Sequence, residues 1–314
     1  AYVSPELRQR VNAAVSELNY APSQFARGLK RGRSQLIGLV VSDLSNPFFS
    51  RIVLAAEAAA SAWGYSLVVF NTDEKPVAEK RVLERVRSLS CDGLILVPTG
   101  LAAYYRRNGF AQGNIPTVLL GRAVGGDELD TVELDNESAG FQATSYLLDL
   151  GHKRIGSITG PQHLTTGSDR LQGMKAAMQS RGLDCDENFV RSGEFREDTA
   201  YSVAKPMLQS QKRPSALYVA NGVMALGVMR AILDMGLRCP DDISVASTDT
   251  IPGIGVLRPR LTRTEHPILE MTNEAFRLLI DRINGTNEKG ARHVVFQPNL
   301  VVGDSCVPAA DVPA

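Results

Sequence analysis

Asn221 and Asp249 stand just past short apolar runs that end at Val219 and Ser247. A carboxamide both donates and accepts, while an ionised carboxylate only accepts, so the pair could bind the hydroxyls of a polyol. For Asp249 a helix cap is the other reading. Asp43 follows the apolar run 36–41 in the same way, and Phe48-Phe49 opens the next helical stretch. These two rings either wall a ligand or pack beneath a loop. A different chemistry belongs to Arg27, Lys30, Arg31 and Arg33, cations clustered closely enough to meet a polyanion.

Catalysis has no comparable footing. The chain contains no GxSxG, HExxH or Walker sequence and no GxGxxG after a strand. The glycine-rich stretch 121–126 sits in a loop beside Asp127-Glu128 and resembles none of these. Cys91, Cys185, Cys239 and Cys306 form no CxxC pair, which suits reduced thiols in a cytoplasmic protein. His152, His163, His266 and His293 lack metal-ligand spacing. No catalytic residue, metal or cofactor is therefore expected.

The elements that must position these groups follow from periodicity. From Leu36 onward, apolar runs at 36–41, 66–70, 93–97 and 117–120 alternate with amphipathic stretches at 49–63, 77–89 and 101–112. Helices over 137–150, 168–181, 199–210 and 223–235 then alternate with strands at 154–158, 189–191, 215–219 and 243–247. A helix over 267–284 and a strand over 294–302 close the series. Alternation of this kind predicts parallel sheets with right-handed crossovers, and two successive series predict an α/β chain of two doubly wound subdomains. Ligands of such sheets sit beyond the carboxyl ends of the strands, so the cleft between the subdomains is the expected site.

The N-terminal part differs. Ser4-Pro5-Glu6 is a helix opening, and Leu7, Val11, Ala14, Val15 and Leu18 recur at helical spacing, so one face of this helix needs a partner. Residues 23–29 could form two helical turns, well below the ~12–15 residues an isolated helix needs, and should order only when docked. The chain of 314 residues is formally neutral, 44% hydrophobic and 22% charged. That neutrality is uneven, because Arg8, Arg10, Arg27, Lys30, Arg31 and Arg33 face only Glu6 and Glu17 within residues 1–34. A basic tip on a mildly acidic body suits one end that meets a polyanion. No apolar run approaches the ~18 residues of a membrane span, and no leader is evident.

Taken in order, these segments resemble the lactose/galactose repressor family along essentially the whole chain. Ser4-Pro5-Glu6-Leu7 through Asn19-Tyr20-Ala21-Pro22 is similar to the third helix of that family's DNA-binding headpiece. Ala26-Arg27-Gly28-Leu29 and Gly32-Arg33-Ser34 are similar to its hinge helix and joint. Asn46-Pro47-Phe48-Phe49 and Asp92-Gly93-Leu94-Ile95 match its first subdomain. Leu150-Gly151-His152-Lys153-Arg154-Ile155, Gly160-Pro161 with Arg170, and Pro240-Asp241-Asp242-Ile243 match its second.

The resemblance implies a ligand-responsive transcriptional repressor with a periplasmic-binding-protein-like (type I) body. It implies residues 1–20 as a headpiece remnant and 21–35 as hinge and linker. The first subdomain would be 36–134 with 265–291, the second 135–264 with 292–306, and 307–314 a tail. Because the family's recognition helix would precede Ala1, the chain reads as N-terminally truncated and should bind DNA feebly, mainly through charge.

In the family, paired hinge helices enter the minor groove, where the match to Leu29 is an apolar wedge and Ala26, Arg27, Lys30 and Arg31 lie against DNA. Leu29 could otherwise simply lead into the first strand. The family's effector residues correspond to Asp43, Phe48, Phe49, Thr166, Arg170, Phe195, Asn221 and Asp249. Arg170 would fork hydrogen bonds to hydroxyls or a carboxylate, and Arg170→Ala should abolish the response while leaving the fold intact. Gly222 and Thr248-Asp249-Thr250 depart from the family pattern. Leu164 stands where purine-binding members carry an arginine, which favours a sugar or sugar acid. His152 matches a buried structural position. Expected partners are a small-molecule effector, operator DNA and a second copy in a homodimer, with no membrane. The alternative is a periplasmic-type solute-binding protein.

Overall fold

The computed structural model describes residues 3–18, 33–99, 105, 115–125, 128–249, 251, 258–286 and 290–309. Helix α1 (Pro5–Glu17) begins as its residues dictate, with Ser4 accepting from the Leu7 amide at 3.3 Å and proline in the first turn. No residue of α1 is buried, so its apolar seam has no cover among the described residues. The hinge residues Ala26, Arg27, Leu29, Lys30 and Arg31 lie outside the described residues.

The body is two parallel-dominated sheets, each flanked by helices. In the first lobe β1 (Leu36–Val41), α2 (Pro47–Ala62), β2 (Ser66–Asn71), α3 (Pro76–Ser88), β3 (Gly93–Leu96), β4 (Thr117–Leu120) and β5 (Asp130–Leu134) follow in sequence. The chain then enters the second lobe with α4 (Asn136–Asp149), β6 (Ile155–Thr159), α5 (Thr165–Ser180), β7 (Val190–Ser192), α6 (Glu197–Gln209), β8 (Ala216–Val219), α7 (Gly222–Asp234), β9 (Ser244–Thr248) and β10 (Thr262–Glu265). It returns for α8 (Ile268–Asn284) and β11 (His293–Phe296), and crosses once more to β12 (Asn299–Val301). The first sheet runs β11-β5-β4-β3-β1-β2 and the second β12-β10-β9-β8-β6-β7, with β12 antiparallel to β10. Among the described residues no helix is long and apolar enough to cross a membrane.

Two expectations change. The run 294–302 is two strands in different sheets: β11 pairs with β5 and β12 with β10. Residues 293–296 therefore belong to the first lobe, and Glu265, paired with Asn299, belongs to the second. Pro298 falls between the two strands, where a residue without an amide hydrogen interrupts a ladder. Strands β5 and β10 were not expected. In β10 the inward residues are Thr262 and Thr264, fully buried with bonded hydroxyls, so no apolar run marks the strand. The helix expected over 101–112 lies outside the described residues apart from Tyr105.

Arg33, grouped by sequence with the phosphate-binding cations, donates to Asn284 Oδ1 and to the Ile283 carbonyl at the end of α8, both at 3.1 Å. A cation at a helix C-terminus is electrostatically favoured, and here it ties the entering chain to the first lobe. Deeper in that lobe, the buried Asp130 accepts from Arg282 and Arg292, joining β5 to α8 and to the start of β11.

Candidate ligand-binding cleft

Parallel strands bring their carboxyl ends together, and the two lobes face each other across those ends. All eight residues singled out from the sequence line one cleft there, whose enclosed cavity is about 40 Å³ within about 480 Å³ of space that includes the open mouth. On the first-lobe side, Asp43 closes the turn after β1 by accepting from the Ser45 amide at 2.9 Å and its hydroxyl at 2.6 Å. Asn46 then caps α2, accepting from the Phe48 amide at 3.0 Å. That cap sets where the two aromatic rings sit. They meet edge to face at 5.1 Å, Phe49 within the lobe's core and Phe48 half-buried against the His266 ring, also at 5.1 Å. Phe49 thus follows the packing reading, while Phe48 is only partly buried at the cleft.

The second-lobe wall is built from helix starts. Thr166 and Arg170 are one turn apart on α5 and share a face. Gly140 on α4 lets the helices close, since a Cβ there would lie 2.1 Å from the Arg170 carbonyl oxygen. Arg170 is 3% exposed and well bonded: Nε donates to Asn136 Oδ1 at 2.9 Å, Nη1 to the Ala220 carbonyl at 2.5 Å, and Nη2 to His266 Nε2 at 3.1 Å. Asn221 caps α7 through its oxygen, which accepts from the Met224 amide at 2.8 Å.

Asp249 follows β9 with a left-handed φ of 70°, near Arg170 at 3.5 Å and against His266 Nδ1. An arginine can only donate, so His266 Nε2 accepts and Nδ1 carries the hydrogen that faces the carboxylate. Burial acts to raise the Asp249 pKa, but His266 and Arg170 outweigh it and hold the carboxyl below its ordinary value. Phe195, also at a positive φ, lies over Gly160, where any Cβ would fall 2.2 Å from the ring.

The sequence reading missed Asn46, Glu74, Val97, Gly121, Arg122 and His266 in the lining. Asn46 had a legible signal, a capping residue before proline. Arg122 and Glu74 had none. They form a forked pair at 2.7 Å twice over, and the Arg122 guanidinium lies 5.7 Å from the Phe195 ring centroid. Every acid at the cleft has an arginine: Glu74 has Arg122, Asp249 has Arg170, and Asp43 has Arg196 at 2.9 Å. Among the described residues the wall presents no spare positive charge. It does present the Thr166 hydroxyl, buried with no protein partner. Among the described residues, no group of three or more His, Cys, Asp or Glu side chains could hold a metal ion.

Residues 144–306 match the family model for a periplasmic binding protein-like domain. The ribose operon repressor of Halalkalibacterium halodurans is 36% identical over 282 residues, 90% of this chain and 83% of that protein. The HTH-type transcriptional repressor PurR of Histophilus somni is 33% identical over 310 residues, 97% of this chain and 91% of that protein. Among solved structures, the lac repressor dimer bound to operator and an anti-inducer superposes with a TM-score of 0.85 at 27% identity, covering 98% of this chain and 92% of that one.

Proposed function

The chain belongs to the lactose/galactose repressor family of transcriptional regulators, and from that premise we propose that its cleft senses a neutral sugar whose binding controls operator affinity. The observation that carries the sugar assignment is the charge balance of the wall among the described residues. A sugar acid or a phosphate ester would need an unpaired cation, whereas each cleft arginine is already matched to a carboxylate. What remains on offer is the half-buried Phe48 ring, the Thr166 hydroxyl, the Asn221 amide and the outer oxygens of the paired acids. Such a set suits the C–H face and hydroxyls of a sugar. This narrows the sugar-or-sugar-acid expectation to the neutral member. A ribose-operon repressor among the relatives supports it.

The rest of the reading follows the family. Asp43, Phe48, Phe49, Thr166, Arg170, Phe195, Asn221 and Asp249 form the effector site. Ala26, Arg27, Leu29, Lys30 and Arg31 contact DNA as two copies pair, in the cytoplasm. The domain division becomes 36–134 with 266–296 for the first lobe and 135–265 with 297–306 for the second. A guest that favours one arrangement of the lobes shifts that equilibrium. A coupling of about 1–3 kcal/mol changes operator affinity roughly 5–150-fold. The relatives are repressors, which favours this reading over a solute-binding protein.

Calorimetry with neutral pentoses and hexoses, sugar acids and purine bases tests the assignment, followed by DNA-binding titrations of the full-length gene product on fragments upstream of the gene. Micromolar binding of a neutral sugar that moves DNA affinity is the expected result. Exclusive binding of an acid or a purine defeats the sugar assignment, and a bound sugar without effect on DNA defeats the sensor assignment.

A further inference from the structure

Arg196, the residue before α6 in the second lobe, reaches across to the first. Its Nη1 donates to Asp43 Oδ2 at 2.9 Å, and its Nη2 to Asp73 Oδ1 at 2.6 Å and the Asp73 carbonyl at 3.3 Å. The two carboxylates stand on the loops after β1 and β2, which are adjacent parallel strands, so one guanidinium spans both. The neighbouring residue, Phe195, meets Arg122 of the first lobe in the same way. Both halves of this contact rest on consecutive non-glycine residues at positive φ, Glu194-Phe195 on one side and Asp73-Glu74 on the other. Such backbone is held only where its surroundings over-determine it. Other charges face the group: Lys75 lies 2.7 Å from Asp73, and Glu74 is occupied by Arg122.

We infer that Arg196 is a clasp that holds the two lobes together at the cleft, and so sets how fast a guest enters and leaves. Physically, the forked pairing links two lobes otherwise joined by chain crossings and the cleft wall, so small changes in its strength move the balance between a closed and an open mouth. A closed mouth retains a guest, and an open one admits it. Removing the clasp therefore raises both rates, and release more than entry, because the closed complex loses its support while empty protein spends more time open. The side chain is partly exposed, so salt weakens the clasp. The rate argument rests on the sensor reading above, whereas the clasp itself does not.

Amide hydrogen exchange on the full chain without sugar, across a series of salt concentrations, tests the clasp. In Arg196→Gln, exchange in the loops at 42–46, 72–75 and 193–196 should rise together by about three- to tenfold and lose its salt dependence. Arg196→Lys should fall between, because an ammonium cannot fork to two carboxylates. Asp73→Asn removes half the fork and leaves the Asp43 turn intact, so it should loosen the same loops less. Unchanged exchange in the first-lobe loops of Arg196→Gln overturns the inference. Stopped-flow binding of D-ribose then reads the rates. Loosened loops with no ribose or other sugar bound would leave the clasp standing and defeat the sensor reading instead, while loosened loops with unchanged sugar entry and release would overturn the rate-setting role.

Discussion

Arg170 and Asp249 face each other at 3.5 Å with side chains only 4% and 9% exposed. Charges taken that far out of water persist only when further bonds surround them. Here Asn136, the Ala220 carbonyl and His266 complete the guanidinium, and His266 completes the carboxylate. The pair is therefore a strut of the cleft.

Arg170→Ala is accordingly expected to cost the fold as well as the response, which revises the sequence-based expectation of an intact body. Stranding a buried carboxylate typically costs about 3–5 kcal/mol. Urea unfolding should show that loss, and a change below about 1 kcal/mol would mean that Asp249 had found another partner or become protonated.

Thr166→Val is the cleaner probe of ligand contact. The Thr166 hydroxyl is buried and has no protein partner, so valine removes a polar group without leaving another stranded. Stability should stay level or rise slightly, while sugar affinity should fall roughly tenfold for one lost hydrogen bond. Unchanged affinity in calorimetry would take Thr166 out of the effector site.

Asp130 should shape the acid limb of stability. Burial acts to raise its pKa, but the bonds from Arg282 and Arg292 outweigh that, and the carboxyl ends below its ordinary value. A folded pKa depressed in this way gives stability that is present above the unfolded value, near about 4, and lost as pH falls through the folded one. Asp130→Asn should lower the urea midpoint at neutral pH and flatten its decline on acidification. A parallel decline in variant and parent would show that other carboxylates govern the acid limb.

Much of this arrangement was legible because it is local. A cap before proline at Asn46, an apolar run ending before Asp43, and polar residues just past β8 and β9 each place a side chain by short-range rules of backbone geometry. Asp43, Phe48, Phe49, Asn221 and Asp249 stood out by their place past strand ends as well as by the family resemblance, whereas Thr166, Arg170 and Phe195 came from the resemblance alone. The N-terminal DNA-binding assignments rest on the clustered charge and the resemblance, since those residues lie outside the described part of the chain.

The sequence by itself determined the alternation of elements, the two-lobed class and the strand ends that must carry the site, since periodicity, capping and turn chemistry act over a few residues. Only tertiary structure decided which charges meet. Arg196 and Asp43 are 153 residues apart, and Arg170 and His266 are 96 apart. Such partners are set by how helices and sheets pack, and residue type alone leaves an arginine free to pair with any acid. The same reason divides residues 293–301 between two sheets: one run of alternating residues suits either edge, and only the crossing at Pro298 selects both.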